Sequence, residues 1–390
     1  MKSVKNWDVV VVGAGPGGAA ASYHLARFGY DVLLLDRKTF PRHKPCGGAL
    51  SWKVSRFLPF DEKALEYDEI YGAEFTYQGK EPFRIEVESP LSRLVERRDF
   101  DQKLVDMAVG EGAAFHDGET VTGFEERDVG IEVTTQAGEI YAAKYVIGAD
   151  GPRGISARFL NPSHVEPMGV ALEEEMVLGG VDIPKLVRLD FGRFPYGYGW
   201  VFPKRGLSSV GCGAIYRREK VSLRKAYQGF KADFPFIPRS SKGMKGHLLP
   251  YFGDFPYTRA RGHMLLVGDA ARLMDPFLGE GIYYALASGT FAAEAVRAAF
   301  ERGGGAEEHY LPRLQKEIVE ELRNAARMAD FVYPRLYLGF KVLKRSSRLG
   351  LLYIRVMSGE VSYRDFNNNL FRTMKDAGKK KLMGFFTKGG

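Results

Sequence analysis

Two runs of apolar residues near the start of the chain are separated by a stretch with a helical pattern. Val9 to Val12 and Val32 to Leu35 are apolar at every position, which is typical of strands buried on both faces. Between them, the small and apolar residues from Ala19 to Phe28 predict a helix, and Gly29 is placed to end it. Strand, helix and strand in this order predict a βαβ unit.

A different pattern, short strands separated by turns, dominates from about residue 167 to about residue 250. Within it, residues 195–204 (PYGYGWVFPK) carry an aromatic side chain at every second position, with glycine or valine between them. Because alternate side chains of a strand point to opposite faces, this segment predicts a strand with four rings on one face. The four aromatic residues are Tyr196, Tyr198, Trp200 and Phe202.

Segments with an α/β pattern occur before, between and after the β-rich segments. We therefore expect an α/β fold in which an antiparallel β-sheet domain is inserted into a Rossmann-like nucleotide-binding domain, followed by C-terminal helices. The predicted boundaries are 1–60, 93–160 and 258–303 for the discontinuous nucleotide-binding domain, 61–92 and 161–257 for the β-sheet substrate domain, and 304–390 for a helical, basic C-terminal segment.

The composition is that of a soluble globular protein: of 390 residues, 45% are hydrophobic and 27% are charged. No apolar run approaches the ~20 residues of a membrane span, and the chain opens on a strand pattern without a signal peptide, so we expect a cytoplasmic location. The two cysteines, Cys46 and Cys212, are too few for a disulfide scaffold and fit a reducing compartment. The histidines lack metal-ligand spacing, so no metal is predicted.

Positive charge is concentrated at the C-terminus. The whole chain carries +8, whereas residues 331–390 contain 13 Lys and Arg against 3 Asp and Glu. This segment is either a solvated helical tail or a basic surface for phosphate headgroups, which would place the protein peripherally on the inner membrane face. Nucleic acid is not predicted, because no recognition motif accompanies the charge. A helical spacing of apolar and basic residues suits both interpretations: Leu336, Phe340 and Leu343 beside Lys341, Lys344, Arg345 and Arg348.

A G-x-G-x-x-G motif connects the first strand to the first helix. Gly13 permits a tight turn, Gly15 lets the backbone approach a pyrophosphate, and Gly18 permits close packing of helix and strand. The helix N-terminus adds free N–H groups for the phosphates. Asp36 ends the second strand 23 residues after Gly13, where a carboxylate can bind ribose hydroxyls. The predicted dinucleotide contacts in this unit are Gly13, Gly15, Pro16, Gly17, Gly18, Asp36 and Arg37.

Three later segments resemble those of FAD enzymes built like p-hydroxybenzoate hydroxylase. VERRDFDQKL resembles their R-x-x-F-D segment, with Arg97 in the arginine position, and VIGADGPRGISAR resembles their G-A-D-G segment. LLVGDAARLMDPFLGEGI resembles their G-D-A segment, which implies that Asp269 holds the ribityl chain of FAD. The loop after it opens a helix whose N-terminus would stabilise negative charge on a reduced flavin. Further predicted FAD contacts are Val121, Gly279, Gly281 and Ile282.

Two segments resemble the geranylgeranyl reductases within that superfamily. KPCGGAL, Lys44 to Leu50, resembles their K-P-C-G-G segment, and the aromatic strand resembles their Y-x-W-x-F-P-x7-G-x-G signature, which ends here at Gly211 and Gly213. The resemblance covers roughly residues 8–300. It implies that Cys46, Gly47 and Gly48 lie beside the flavin ring. Flavin-dependent halogenases and hydroxylases share the fold and remain alternatives.

The resemblance implies an FAD-dependent reductase that saturates C=C bonds of a prenyl lipid or prenyl diphosphate. An aromatic wall would bury such an apolar chain at little cost in entropy, although the same rings could fill a sheet core. Cys46 could donate a proton, shape the substrate site or react with the flavin, or could be a small residue that allows close flavin approach. Cys46, Tyr198 and Trp200 are the predicted catalytic residues, and the predicted substrate contacts are Tyr196, Tyr198, Trp200, Phe202, Gly211 and Gly213.

The sequence contains no second G-x-G-x-x-G unit. We therefore expect the electron donor, NAD(P)H or a ferredoxin-like redox protein, to bind transiently. Two other functions stay open: a flavin monooxygenase or halogenase of the same fold, and a non-enzymatic prenyl-lipid binding protein that retains FAD. Pairing of Cys46 with Cys212 is possible on the sequence alone.

Overall fold

A computed structural model describes residues 4–163, 168–177, 185–204, 206–215, 221–234 and 243–376. Parts of the predicted strand-and-turn region and the last 14 residues, with Lys379, Lys380, Lys381 and Lys388, lie outside the described residues. The strands are β1 Lys5–Val12, β2 Val32–Leu35, β3 Ala49–Leu50, β4 Asp68–Ile70, β5 Gly72–Tyr77, β6 Lys80–Glu86, β7 Ser92–Leu94, β8 Ala114–His116, β9 Val121–Arg127, β10 Gly130–Thr135, β11 Ile140–Gly148, β12 Gly169–Val177, β13 Val187–Phe191, β14 Tyr198–Lys204, β15 Leu207–Ala214, β16 Lys245–Leu249, β17 Ala260–Arg261 and β18 Met264–Leu266. The helices are α1 Pro16–Arg27, α2 Arg97–Gly110, α3 Ile155–Leu160, α4 Leu223–Ala232, α5 Ile282–Arg302, α6 Ala306–Leu314, α7 Glu320–Val332, α8 Leu336–Arg345, α9 Ser347–Ser358 and α10 Tyr363–Asp376.

The first sheet has the order β17-β18-β11-β1-β2-β8 and carries the β9–β10 hairpin on β11. β1 pairs in parallel with both β2 and β11, and β2 and β11 pair in parallel with β8 and β18. The side chains of Val9 to Val12 and Val32 to Leu35 are at most 5% exposed, as strands covered on both faces require. The βαβ unit is confirmed, and its sheet is assembled from three separate stretches of chain.

Helix α1 begins at Pro16, three residues before the predicted start. Proline is favoured in the first turn because it lacks an N–H, and an N–H at that position would have no partner within the helix. The helix packs against α5 with the two backbones in close contact. A Cβ atom added to Gly289 of α5 would lie 2.1 Å from the carbonyl oxygen of Gly17. The two helices can therefore approach only because both positions are glycine.

The second sheet has the order β16-β12-β15-β14-β13-β5-β6. Its pairs are antiparallel except for β13 with β5. β5 and β6 come from the chain before β7, and the other five strands come from residues 169–249. A small third sheet, β3-β7-β4, is built from short strands that lie on either side of β5 and β6 in sequence. The predicted α/β fold with an additional, largely antiparallel sheet and C-terminal helices is confirmed.

The C-terminal helices cover the end of the second sheet formed by β5 and β6. Phe340 of α8 is buried against the rings of Tyr77 and Phe83. Lys341 and Lys344 of the same helix form ion pairs with Glu81. The apolar side of α8 is thus occupied by the chain's own sheet, and two of its basic residues are paired. Among the described residues, no helix is long and apolar enough to cross a membrane.

Candidate functional site

The turn between β1 and α1 leaves room on its outer side. Gly13 has a positive φ of 105°, and a Cβ atom at Gly18 would lie 1.9 Å from the Gly13 carbonyl oxygen, so both positions require glycine. In contrast, the atom nearest to a Cβ added at Gly15 is a guanidinium nitrogen of Arg42, 3.9 Å away. The backbone at Gly15 therefore faces open space beside a cation, which suits a pyrophosphate.

The Asp36 carboxylate holds this turn. One oxygen accepts a hydrogen bond from the Ala14 N–H at 2.8 Å, and the other accepts one from the Lys38 N–H at 2.8 Å. Asp36 therefore fixes the phosphate turn and stands at the end of β2, where the ribose is expected. Arg37 is exposed beside it, and Val121 is buried at the start of β9.

Arg97, at the start of α2, is buried and binds Asp101 with two hydrogen bonds of 2.8 and 2.9 Å. Arg42 lies 3.0 Å from the same carboxylate. Burial acts to lower the pKa of Arg97, but the Asp101 carboxylate outweighs it, so the pKa is raised overall. The structure thus places a permanent cation against the K-P-C-G-G segment.

The loop that carries Cys46 is fixed from two sides. The Cys46 N–H donates to the Glu173 carboxylate at 2.6 Å. A Cβ atom at Gly47 would lie 2.5 Å from the ring of Phe202, and Gly48 has a positive φ of 75°. The glycines of this segment therefore let an aromatic ring of β14 pack directly on the loop backbone. No motif in the sequence points to Glu173, which lies 127 residues from Cys46.

Three of the four predicted rings share one face of β14. Trp200 lies opposite Gly211 of β15 and Tyr198 opposite Gly213. A Cβ atom at Gly211 would lie 2.3 Å from the Trp200 indole, so this glycine provides a flat surface on which the indole rests. The two halves of the Y-x-W-x-F-P-x7-G-x-G signature therefore form one unit. The first half places the rings on β14, and the glycines of the second half leave space for them on β15.

The expectation of four rings on one strand is wrong for Tyr196. β14 begins at Tyr198, and Tyr196 precedes it with a positive φ of 45°, so its side chain leaves the row. Its ring lies 5.3 Å from that of Tyr333 in the C-terminal helices. A turn before the strand, which the alternation of residues did not reveal, is the reason.

The opposite face of β14 packs on helix α4. A Cβ atom at Gly199 would lie 2.8 Å from the Phe230 ring of that helix. Cys212 of β15 is fully buried on this side, where burial raises its pKa to about 12. Cys46 and Cys212 are both free thiols on different faces of the sheet, so the possible disulfide is not formed. The Tyr198–Trp200–Phe202 face therefore points to the Cys46 loop.

Asp269 lies beside two residues that the sequence did not single out for this place. His247 of β16 is 3.8 Å from its carboxylate, and the Lys44 ammonium contacts the imidazole. Burial acts to raise the pKa of Asp269, but His247, Lys44 and Arg97 outweigh it and the pKa is lowered. An ionised carboxylate here is a strong acceptor for ribityl hydroxyls. His247 is a lone histidine 22 residues before Asp269, and no motif marks it.

The loop that precedes α5 is held by the buried carboxylate of Asp275. It accepts hydrogen bonds from the Phe277 and Leu278 N–H groups at 2.7 and 3.1 Å and from the Tyr363 hydroxyl of α10 at 2.5 Å. Burial raises the pKa of Asp275 to about 6. The Tyr198 hydroxyl donates to the Leu278 carbonyl at 2.5 Å, and burial raises the pKa of that phenol.

The loop continues through Gly279, which has a positive φ of 75°, to Gly281 and the first residue of α5, Ile282. The Glu280 carboxylate is bound by Lys53 and Ser51. The loop therefore meets the aromatic face at one end and the N-terminus of α5 at the other. A helix N-terminus stabilises negative charge, which suits the edge of a reduced flavin.

Together these segments define an FAD-dependent oxidoreductase: an uncrowded phosphate turn, carboxylates at Asp36 and Asp269, a buried Arg97, and a helix N-terminus beside a thiol and an aromatic face. The residues present fit FAD, which is the cofactor. Residues 6–174 match the FAD binding domain family. In overall fold the chain is similar to a solved geranylgeranyl bacteriochlorophyll reductase-like protein of Thermoplasma acidophilum, with a TM-score of 0.77, 22% identity, and coverage of 99% of this chain and 100% of that one.

Curated relatives cover most of the chain. An uncharacterized protein of Methanosarcina barkeri is 34% identical, over 90% of each chain. A menaquinone reductase of Mycobacterium tuberculosis is 32% identical, over 74% of this chain and 76% of that one. A digeranylgeranylglycerophospholipid reductase of Methanococcoides burtonii is 31% identical, over 75% of each. The chain belongs to the geranylgeranyl reductase family of FAD-dependent oxidoreductases.

Proposed function

We propose that this protein is an FAD-dependent reductase that saturates isoprenoid C=C bonds of a prenyl lipid. The observation that carries the proposal is the position of the Tyr198–Trp200–Phe202 face, which lies against the Cys46 loop and the loop before α5. A prenyl chain is long, flexible and apolar, and rigid rings bury it at little loss of their own entropy. Relatives named for reduction of prenyl-chain compounds support the same substrate class.

Reduced FAD, when bound, supplies hydride from N5. An isolated alkene is a poor hydride acceptor, so positive charge at a tertiary carbon must be stabilised. The faces of Trp200 and Tyr198 do this through their electron-rich rings. Tyr198 is fixed in place by its hydrogen bond to the Leu278 carbonyl, and Trp200 by its contact with Gly211. Cys46 carries the thiol at this face, and we assign it the role of proton donor.

The electron donor is NAD(P)H or a ferredoxin-like protein that binds transiently, because the sequence has one dinucleotide-binding motif. Contact with anionic lipid is carried by Arg345 and Arg348, which are exposed, whereas Lys341 and Lys344 are paired with Glu81. A peripheral position on the inner membrane face would bring the protein to prenyl lipids within a bilayer.

The test is an anaerobic incubation of the dithionite-reduced holoenzyme with three compounds: a digeranylgeranylglycerophospholipid, menaquinone and geranylgeranyl diphosphate. We expect at least one product whose prenyl chain has gained two hydrogens per reduced bond, and two deuterium atoms per reduced bond when the reaction is run in D2O. Oxygen uptake that depends on substrate would instead show a monooxygenase or halogenase. If dithionite reduces the flavin but no prenyl compound reoxidises it, the result would favour a non-enzymatic prenyl-lipid binding protein.

A further inference from the structure

Glu173 is a buried carboxylate in the middle of the second sheet. It lies on β12, is 3% exposed, and is directly opposite Gly211, which is in turn opposite Trp200. Laterally paired residues of neighbouring strands share a face, so Glu173 and Trp200 project to the same side of the sheet with only a glycine between them. A buried carboxylate is costly unless both of its oxygens are bonded.

Both oxygens are bonded, and each bond leads to a different part of the site. Glu173 Oε2 accepts from the Cys46 N–H at 2.6 Å, and Oε1 accepts from the Ser209 hydroxyl at 2.6 Å. The Ser209 oxygen accepts in turn from the indole N–H of Trp200 at 3.0 Å. A continuous chain of three hydrogen bonds therefore runs from the aromatic face to the backbone of the cysteine loop.

The residues that form this chain of hydrogen bonds cannot move independently, because packing holds each of them in place. Ser209 is fully buried and Trp200 is 9% exposed. The Cys46 loop is pressed on the same strand through Gly47 and the Phe202 ring. The Cys46 thiol is further tied within its loop, where it accepts from the Gly48 N–H at 3.4 Å. A shift of the indole changes the Ser209 hydroxyl, the Glu173 carboxylate and the Cys46 backbone together.

We propose that Glu173 is a positioning residue that couples the Trp200 ring to the Cys46 thiol. It sets the orientation of the thiol from the position of the ring, so that a substrate chain packed on Trp200 also adjusts Cys46. Its importance for the reaction rests on the proposed function, but the coupling itself is a property of the protein and is measurable without turnover.

The test measures the rate at which iodoacetamide alkylates Cys46 in the FAD-loaded protein at one pH, by mass spectrometry of the Cys46 peptide. This readout separates Cys46 from the buried Cys212. The variants are Glu173→Gln, Ser209→Ala and Trp200→Phe, the last of which keeps a ring and removes the N–H donor. We expect each to change the alkylation rate by about 5-fold or more, the factor that corresponds to one lost buried hydrogen bond.

Glu175→Gln is the matched control. Glu175 lies two residues along the same strand and faces the same loop, where it pairs with His43, but it is exposed. We expect the alkylation rate of this variant to stay within about 2-fold of the parent rate. Ser209→Ala combined with Glu173→Gln should change the rate less than the product of the two single effects, since both break one chain.

The proposal is overturned if Ser209→Ala and Trp200→Phe, folded and with full flavin content, leave Cys46 alkylation as in the parent protein. It is also overturned if the Glu175→Gln control changes the rate as much as they do. Neither outcome depends on a substrate. Changed alkylation together with no reduction of any prenyl compound would uphold the coupling and count against the proposed function alone.

Discussion

The glycines of the phosphate turn and those beside the aromatic strand are crowded by different neighbours. At Gly13 and Gly18 an added Cβ would meet backbone, 2.3 Å from the Ala149 carbonyl oxygen and 1.9 Å from that of Gly13. At Gly47 it would meet only the Phe202 ring, and at Gly211 it would meet the Trp200 indole first, 2.3 Å away, with the Leu172 carbonyl oxygen at 2.6 Å. Backbone cannot move aside, whereas a side chain can rotate. The first pair belongs to the architecture that binds FAD, and the second pair shapes the face proposed for the substrate.

The largest effect is expected at the phosphate turn. Gly18→Ala places a methyl group against backbone, so we expect a loss of more than about 3 kcal/mol in the free energy of unfolding, with little flavin in the purified protein. Denaturant unfolding and flavin absorbance measure both. Gly110→Ala, at the end of α2 with no atom within 4 Å of its added Cβ, is the control and should be close to neutral.

Removal of the Trp200 indole should affect the aromatic face of β14 and not the phosphate turn. Trp200→Ala empties a buried volume and is expected to cost about 3–5 kcal/mol of stability, and to lower turnover of a prenyl substrate, while each folded molecule still binds FAD. Flavin stoichiometry of the folded fraction distinguishes the two regions. If Trp200→Ala loses flavin as completely as Gly18→Ala does, the division between the phosphate turn and the aromatic face is contradicted.

A smaller effect is expected from Gly211→Ala, because the nearest neighbour of the added Cβ is a ring that can rotate, and the Leu172 carbonyl oxygen lies farther away at 2.6 Å. We expect a cost of about 1–3 kcal/mol, a shifted Trp fluorescence and unchanged flavin content. The double variant Gly211→Ala with Trp200→Phe should recover part of that stability, since the smaller ring leaves room for the methyl group. Additive losses in the double variant would show that the Leu172 carbonyl oxygen, and not the indole, is the main source of the crowding at Gly211.

The loop between the two regions should respond to pH. The pKa of Asp275 is raised by burial to about 6 in the folded protein, above the value of 3.8 for the unfolded chain. The folded state therefore keeps the proton longer, and the contribution of this carboxyl to stability is greatest below about pH 4 and is lost as the pH rises through about 6. Melting temperatures between pH 4 and 7.5 should fall more steeply for the parent than for Asp275→Asn. Parallel curves would contradict the assignment.

The smallest effect concerns the basic surface. Arg345→Ala with Arg348→Ala should weaken co-sedimentation with anionic liposomes, by about 5-fold per arginine at low salt. Lys341→Ala with Lys344→Ala is the matched pair, because these lysines are engaged by Glu81 and offer less free charge. Equal effects of the two pairs would show a response to net charge alone. If the parent protein does not bind anionic liposomes, the C-terminal segment is a solvated helical tail.

The sequence was sufficient for features whose cause is local. The βαβ unit, the turn glycines and the ring face of β14 follow from spacing, because backbone geometry and strand alternation act over a few residues. Glu173, His247 and Tyr363 could not be found in this way. Each is a single polar residue that reaches the site from a strand or helix far along the chain, and its partner is set by the packing of the sheets. The prediction for Tyr196 was wrong for a related reason. Its positive φ takes it out of the strand, although its position in the sequence fits the alternation.

The contact between Tyr363 and Asp275 joins positions 88 residues apart. During synthesis the loop before α5 leaves the ribosome well before α10, the helix that holds it. The phosphate turn, the three sheets and α5 are then already synthesised, but the Asp275 carboxylate has only its own loop's N–H groups as hydrogen-bond donors. The loop therefore cannot gain this hydrogen bond until α10 has been synthesised and packed against it.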